Sequence, residues 1–158
     1  WLFDIGKDKI SALIHPQSII HGIVKFKDKS IISHMAPTDM KVPISQAMAW
    51  PERLKIEIKE IDFLEVESFN FQEIDTSQFP CFELAYQLIE ENPCYSVALN
   101  AANEIAVRLY LDHKLEFGDI YTLVSKTIDM IEMTNLEDYQ SIIDYDRYAR
   151  NIAISMKF

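Results

Sequence analysis

The hydrophobic period of this chain changes once, at Pro80, and that change limits the folds open to it. Before Pro80, apolar residues alternate with polar ones in short runs. After Pro80 they recur every three or four residues almost to the C-terminus. Such a chain places strands and loops first and helices last, an α+β layout rather than a repeating βαβ one.

Downstream of Pro80 the spacing predicts four amphipathic helices. The first uses Phe82, Ala85, Leu88 and Ile89 and ends before Pro93; the second uses Ala98, Ala102, Ile105 and Leu109. The third follows Phe117-Gly118 and uses Ile120, Leu123, Val124, Ile128 and Ile131. Thr134-Asn135-Leu136-Glu137 has the pattern of a capping box and is expected to open the fourth, which buries Tyr139, Ile142, Ala149, Ile152 and Met156. With short links, these make a C-terminal four-helix bundle over residues 80–158. Asn100 and Asn103 fall within one turn of the second helix, where asparagine lowers helix propensity, so each is expected to lock against another element.

Upstream, residues 10–15 read as a short strand and residues 19–27 alternate. Ile20, Gly22, Val24 and Phe26 fall on one face; Ile19, His21, Ile23 and Lys25 fall on the other. A turn near Asp28-Lys29 returns the chain along residues 30–35, which makes a β-hairpin. Between the first two strands lies Leu13-Ile14-His15-Pro16-Gln17-Ser18-Ile19-Ile20-His21, two imidazoles, an amide and a hydroxyl framed by apolar anchors. Pro16 fixes its own φ and biases His15 toward extended backbone, so the run reads as strand, turn, strand. Thr38 or Asp39 is expected to cap a helix through residues 43–50 that Pro51 stops. Residues 52–79 read as a connector with strand-like pieces.

Composition narrows the function classes. Apolar residues make up 49%, which suits a packed core, and no run of about 18 apolar residues offers a membrane span. A net charge of −10 argues against a nucleic-acid surface. Residues 1–55 nonetheless carry eight basic against five acidic side chains, compatible with an anionic small molecule nearby. Cys81 and Cys94 read as buried free thiols, as expected of a reducing cytoplasm or plastid. The only glycines, Gly6, Gly22 and Gly118, lie far apart, so the chain cannot build a dinucleotide-binding or phosphate-binding loop. No metal-ligand spacing is present: His15 and His21 are not one helical turn apart, though together with Asp39 they leave a small metallohydrolase as one reading. Ser18 near His21 lacks the elbow of a serine hydrolase. An apolar Trp1-Leu2-Phe3 start leads us to expect further polypeptide upstream.

Three blocks then resemble one family in order and spacing. They are the Leu13–His21 run; Asp39-Met40-Lys41-Val42-Pro43-Ile44 with Ala47-Met48-Ala49-Trp50-Pro51-Glu52-Arg53; and Ala98-Leu99-Asn100-Ala101-Ala102-Asn103-Glu104. Together they are similar to the 1-deoxy-D-xylulose 5-phosphate reductoisomerases, over essentially the whole chain. Trp1-Leu2-Phe3 matches the end of the helix before the first block, and Ala36-Pro37-Thr38 departs from the Gly-Glu-Pro usual in the family.

The resemblance implies rearrangement of a phosphorylated sugar and its reduction by NADPH, with Mg²⁺ or Mn²⁺ as Lewis acid, to give methylerythritol phosphate for isoprenoid synthesis, usually by a homodimer. It implies that residues 1–50 are the tail of a catalytic domain, 51–79 a connector and 80–158 the bundle. The family's nucleotide domain and metal carboxylates would lie before Trp1, so this chain alone is expected to hold neither NADPH nor metal. Residue by residue, the resemblance places His21 beside the substrate as a catalytic hydrogen-bonding or proton-transfer group, Ser18 near the substrate phosphate, and Met40 against the nicotinamide. No nucleic-acid or membrane partner is expected. The rival reading is a helical-bundle interaction module without catalysis.

Overall fold

The computed structural model describes residues 5–156, so the Trp1-Leu2-Phe3 start lies outside the described residues. The fold is α+β: among the described residues it has two antiparallel strands and five α-helices, of which four form the bundle. Contacts divide the chain into two units, residues 12–74 and residues 5–11 together with 75–156.

In the 12–74 unit, β1 (Ile20–Lys25) pairs antiparallel with β2 (Ile31–Met35), Lys25 opposite Ile31 and Ile20 opposite Met35. The turn is closed by Phe26 N–H to the Ser30 carbonyl at 2.9 Å, with Lys29 in the left-handed region at φ 72°. Asp28 accepts from the Ser30 hydroxyl at 2.6 Å and the Ser30 N–H at 2.9 Å, and these bonds hold its carboxyl below the usual range. Helix α1 (Lys41–Ala49) begins two residues before the expected Pro43, and its N-cap is Met40, without a side-chain capping bond, rather than Thr38 or Asp39; Asp39, one residue earlier, accepts the Lys41 N–H at 2.8 Å in the turn that leads in. It stops at Trp50, ahead of Pro51.

Two strand expectations are corrected. Of residues 10–15 only Ile14 pairs, in a single bridge to Gln72. Ile10 has no backbone group left for a ladder: its N–H bonds the Lys7 carbonyl and its own carbonyl accepts the Tyr86 hydroxyl at 2.8 Å. Residues 52–79 hold no strand beyond that bridge. There the side chains of Asp62 and Asp75 capture the N–H groups of Leu64 and Ser77 and bend the backbone into turns.

The other unit holds α2 (Pro80–Leu88), α3 (Pro93–Leu111), α4 (Asp119–Met130) and α5 (Tyr139–Ser155). Its core is built on small residues of α3. Cys94, Ala98 and Ala101 pack with Ile128, Tyr145 and Ala149, while Ala102 and Ala106 pack with Leu123, Val124 and Ala153. All these alanines are fully buried, which lets helix backbones approach closely. Tyr145, itself buried, donates its hydroxyl to the Glu132 carbonyl at 2.7 Å, and burial pushes the phenol well above its ordinary pKa. Cys94 is buried and Cys81 half-buried, both as free thiols.

The capping box of α5 lies four residues later than Thr134–Glu137. Asp138 accepts the Ser141 N–H at 2.7 Å, and Ser141 Oγ accepts the Asp138 N–H at 3.1 Å. An ionised carboxylate is the stronger cap, and it sets the helix start. The later start leaves Tyr139 and Ile142 on the exposed first turn rather than in the core, and the buried stripe runs Tyr145, Ala149, Ala153.

Candidate functional site

The run from His15 to His21 is a turn held by its own backbone and one imidazole. Ser18 N–H donates to the His15 carbonyl at 2.9 Å, and Ser18 adopts φ 51°, the left-handed region that Asn, Asp or Gly usually take. The chain then enters β1, but the pairing register slips between Ile20 and Gly22, so His21 is the extra residue of a β-bulge. The bulge breaks the simple alternation expected for this strand at His21. With its ring turned back, His21 Nε2 lies 2.8 Å from the Ser18 carbonyl oxygen. A carbonyl only accepts, so Nε2 carries a proton, and Nδ1 makes no hydrogen bond among the described residues.

The same turn is latched by its other histidine. His15 Nδ1–H donates to the Asn70 carbonyl at 2.8 Å, its ring stacks on Phe71 at 5.0 Å, and Gln17 Oε1 accepts the Asn70 N–H at 3.2 Å. His15 is therefore a structural histidine, and nothing in the local spacing announces its partners, more than fifty residues away. His15, His21 and Asp39 do not form a ligand group: each uses a donor or acceptor on the protein itself, and no cluster of three metal-binding side chains occurs among the described residues.

The hairpin brings the three sequence-derived candidates to one end. Ala36 N–H donates to the Ile19 carbonyl at 3.1 Å, continuing the ladder past Met35, so the loop of residues 36–40 leaves beside Ile19. Ser18 and His21 stand at the entry to β1, and Met40, 70% exposed, closes that loop at the start of α1. Ser18 is exposed as well, so neither side chain is committed to a core. Sequence reasoning passed over His34, whose ring lies 6.1 Å from that of His21, because only the bulge brings the two rings together.

The third block plays a different part. Asn100 bonds Glu104 within α3 at 3.1 Å, and it is Glu104 that crosses to α5, meeting Arg150 at 2.7 Å. The expected lock thus runs through Glu104, and Arg150 lowers the pKa of that carboxyl first, Asn100 second. Asn103 lines an open depression of α3 with Glu104, Val107 and Arg108.

Comparison with known proteins bears on this arrangement. Residues 35–152 match the family model described as the DXP reductoisomerase C-terminal domain. The 1-deoxy-D-xylulose 5-phosphate reductoisomerase of Prosthecochloris aestuarii is 37% identical over 156 residues, 99% of this chain and 41% of the relative. That of Chlorobium phaeobacteroides is 40% identical over 97% of this chain and 40% of the relative. The Zymomonas mobilis enzyme solved in complex with NADPH superposes with a TM-score of 0.86 at 35% identity, covering 98% of this chain and 41% of that one. A DOX-P reductoisomerase in complex with NADPH, fosmidomycin and magnesium superposes with a TM-score of 0.85 at 31% identity, covering 98% and 40%. The chain spans about two fifths of the length of these relatives. With most of its length matched, the chain belongs to the DXP reductoisomerase C-terminal domain family.

Proposed function

We propose that this chain is the C-terminal portion of an NADPH-dependent reductoisomerase that converts 1-deoxy-D-xylulose 5-phosphate to 2-C-methyl-D-erythritol 4-phosphate. Residues 1–50 then finish a catalytic domain, 51–79 connect, and 80–158 form the bundle. The enzyme uses NADPH and Mg²⁺ or Mn²⁺, works as a homodimer in cytoplasm or plastid, and binds neither nucleic acid nor membrane. Both cofactors are held by residues outside this chain, which alone is inactive.

The observation that carries the reading is the His21–Ser18 turn, with an imidazole nitrogen unbonded among the described residues, in a chain of which 99% aligns with such an enzyme. Ile23, Val24, Ile31 and Ile32 are each 40% exposed or more on a two-stranded sheet. Two strands are at best marginally stable alone, which supports a hairpin that completes a larger sheet.

In this reading His21 acts through Nδ1. It accepts a hydrogen bond from a substrate hydroxyl, or takes and returns its proton, during the rearrangement. Ser18 Oγ hydrogen-bonds toward the phosphate, directly or through water. Met40 lays a polarisable thioether against the nicotinamide.

The test is steady-state kinetics of the complete enzyme with His21→Gln. Turnover falls about 100-fold while KM for NADPH stays within about twofold. Unchanged turnover removes His21 from the mechanism. Turnover of deoxyxylulose phosphate and NADPH by this chain alone overturns the division of labour.

A further inference from the structure

The bulge leaves one contact on His21 that the turn does not explain. Ser18 holds the imidazole at Nε2, but a single hydrogen bond on an exposed ring is broken whenever the side chain turns about its Cα–Cβ or Cβ–Cγ bond. The second contact is His34 of β2, with ring centroids 6.1 Å apart and planes inclined at 42°. His34 is the register partner of Gly22, so no side chain stands directly across from it. Space is open there as well: a Cβ built on Gly22 meets nothing within 4 Å. The bulge residue His21, next to that bare position, is the ring His34 meets.

We propose that His34 is a positioning residue of the reductoisomerase reaction: its ring, set across the bulge from His21, fixes the plane of the His21 imidazole so that Nε2–H stays on the Ser18 carbonyl and Nδ1 faces the substrate. This rests on the reading that His21 takes part in the reaction. The two contacts divide the work. The Ser18 carbonyl selects which nitrogen bears the proton, and His34 restricts rotation of the ring. The requirement on residue 34 is a flat ring of this size, not a charge or a hydrogen bond, since no hydrogen bond joins the pair among the described residues. A catalytic nitrogen displaced by a fraction of an ångström loses much of its advantage, so removal of the ring is felt in turnover rather than in binding.

The experiment compares His34→Ala and His34→Phe in the complete enzyme, alone and combined with His21→Gln. His34→Ala is expected to lower kcat about tenfold with both KM values within about twofold, and His34→Phe to restore kcat to within about twofold of wild type. In the His21→Gln background His34→Ala has no further effect, because its role runs through His21. In ¹⁵N-histidine-labelled enzyme, the hydrogen-bonded Nε2–H resonance of His21 is lost in His34→Ala and kept in His34→Phe.

A His34→Ala enzyme with wild-type kcat and the resonance intact overturns the proposal. So does an equal loss of kcat from His34→Ala with or without His21. If His21→Gln itself leaves kcat unchanged, the catalytic reading of His21 fails, and the resonance arm still decides whether His34 holds the ring.

Discussion

Arg150 Nη2 stands 2.7 Å from Glu104 Oε2, and the same guanidinium places Nε 2.7 Å and Nη2 3.1 Å from the two oxygens of Asp146. One planar fork thus joins its own helix, at i−4, to α3. Both carboxylates favour the charged guanidinium and raise its pKa, the Asp146 bonds most. The third sequence block of the family resemblance ends on Glu104, and its Asn100 braces the carboxylate from the other side.

This geometry makes Arg150→Lys a poor replacement, since an ammonium cannot bridge both partners as a fork. Thermal melts of the complete protein should show Arg150→Met lowering Tm by about 2–4 °C and Arg150→Lys recovering only part of it. Because Glu104 is half exposed, the loss should shrink in about 1 M salt. A Tm unmoved by Arg150→Met would show that the fork contributes nothing to the bundle.

Ala102 is fully buried in the cluster with Leu123, Val124 and Ala153. A larger side chain there has no room, so Ala102→Leu should destabilise by about 1–3 kcal/mol in urea titrations. Ala102→Ser, close in volume, should cost less. Equal stability of the Leu variant would mean that the helices are not packed at this spacing.

The Tyr145 hydroxyl ties α5 to the Glu132 carbonyl in the segment before it. Tyr145→Phe keeps the ring among Cys94, Ala98 and Ala149 and removes the hydroxyl, with its bond to Glu132 and its interaction with the Cys94 thiol. The expected cost is about 0.5–1.5 kcal/mol, checked by denaturant unfolding. A cost several times larger would point to a repacked core instead.

Asp28, Asp75, Glu104 and Asp138 all have carboxyl pKa values lowered by hydrogen bonds in the folded protein. The unfolded chain therefore binds protons more readily at these positions, and stability rises with pH wherever that holds. Their contribution is complete above the unfolded carboxyl range of about 4 and disappears as pH falls through the lower folded values. Unfolding free energy measured from about pH 7 downward should stay level to about pH 5 and then fall. Asp138→Asn, which keeps a cap but not the charge, should flatten part of that fall.

Ser18 combines a hydroxyl with a left-handed backbone, and two substitutions separate them. Ser18→Gly suits φ 51° and should preserve the fold and the carbonyl bond to His21. Ser18→Val, β-branched in that region, should lose about 1–2 kcal/mol of stability. If the hydroxyl serves the phosphate, Ser18→Gly raises KM for the substrate without loss of stability. An unchanged KM assigns Ser18 to the backbone alone.

The change of period at Pro80, the helix-stopping prolines and the alternation through residues 19–35 were enough to read an α+β chain with a hairpin and four packed helices. These are local properties, written in the spacing of apolar residues along one element. The three family blocks were legible for the same reason, as runs of neighbouring residues. The bulge at His21, the latch of His15 onto Asn70, the bridge from Ile14 to Gln72 and the contact between His34 and His21 were not. Each depends on partners distant in sequence or on a one-residue slip of register that reverses which face a side chain takes. The sequence alone determined which elements form and in what order; only the tertiary structure decided which nitrogen of His21 is hydrogen-bonded, because that is set by a carbonyl oxygen whose position follows from the folded turn.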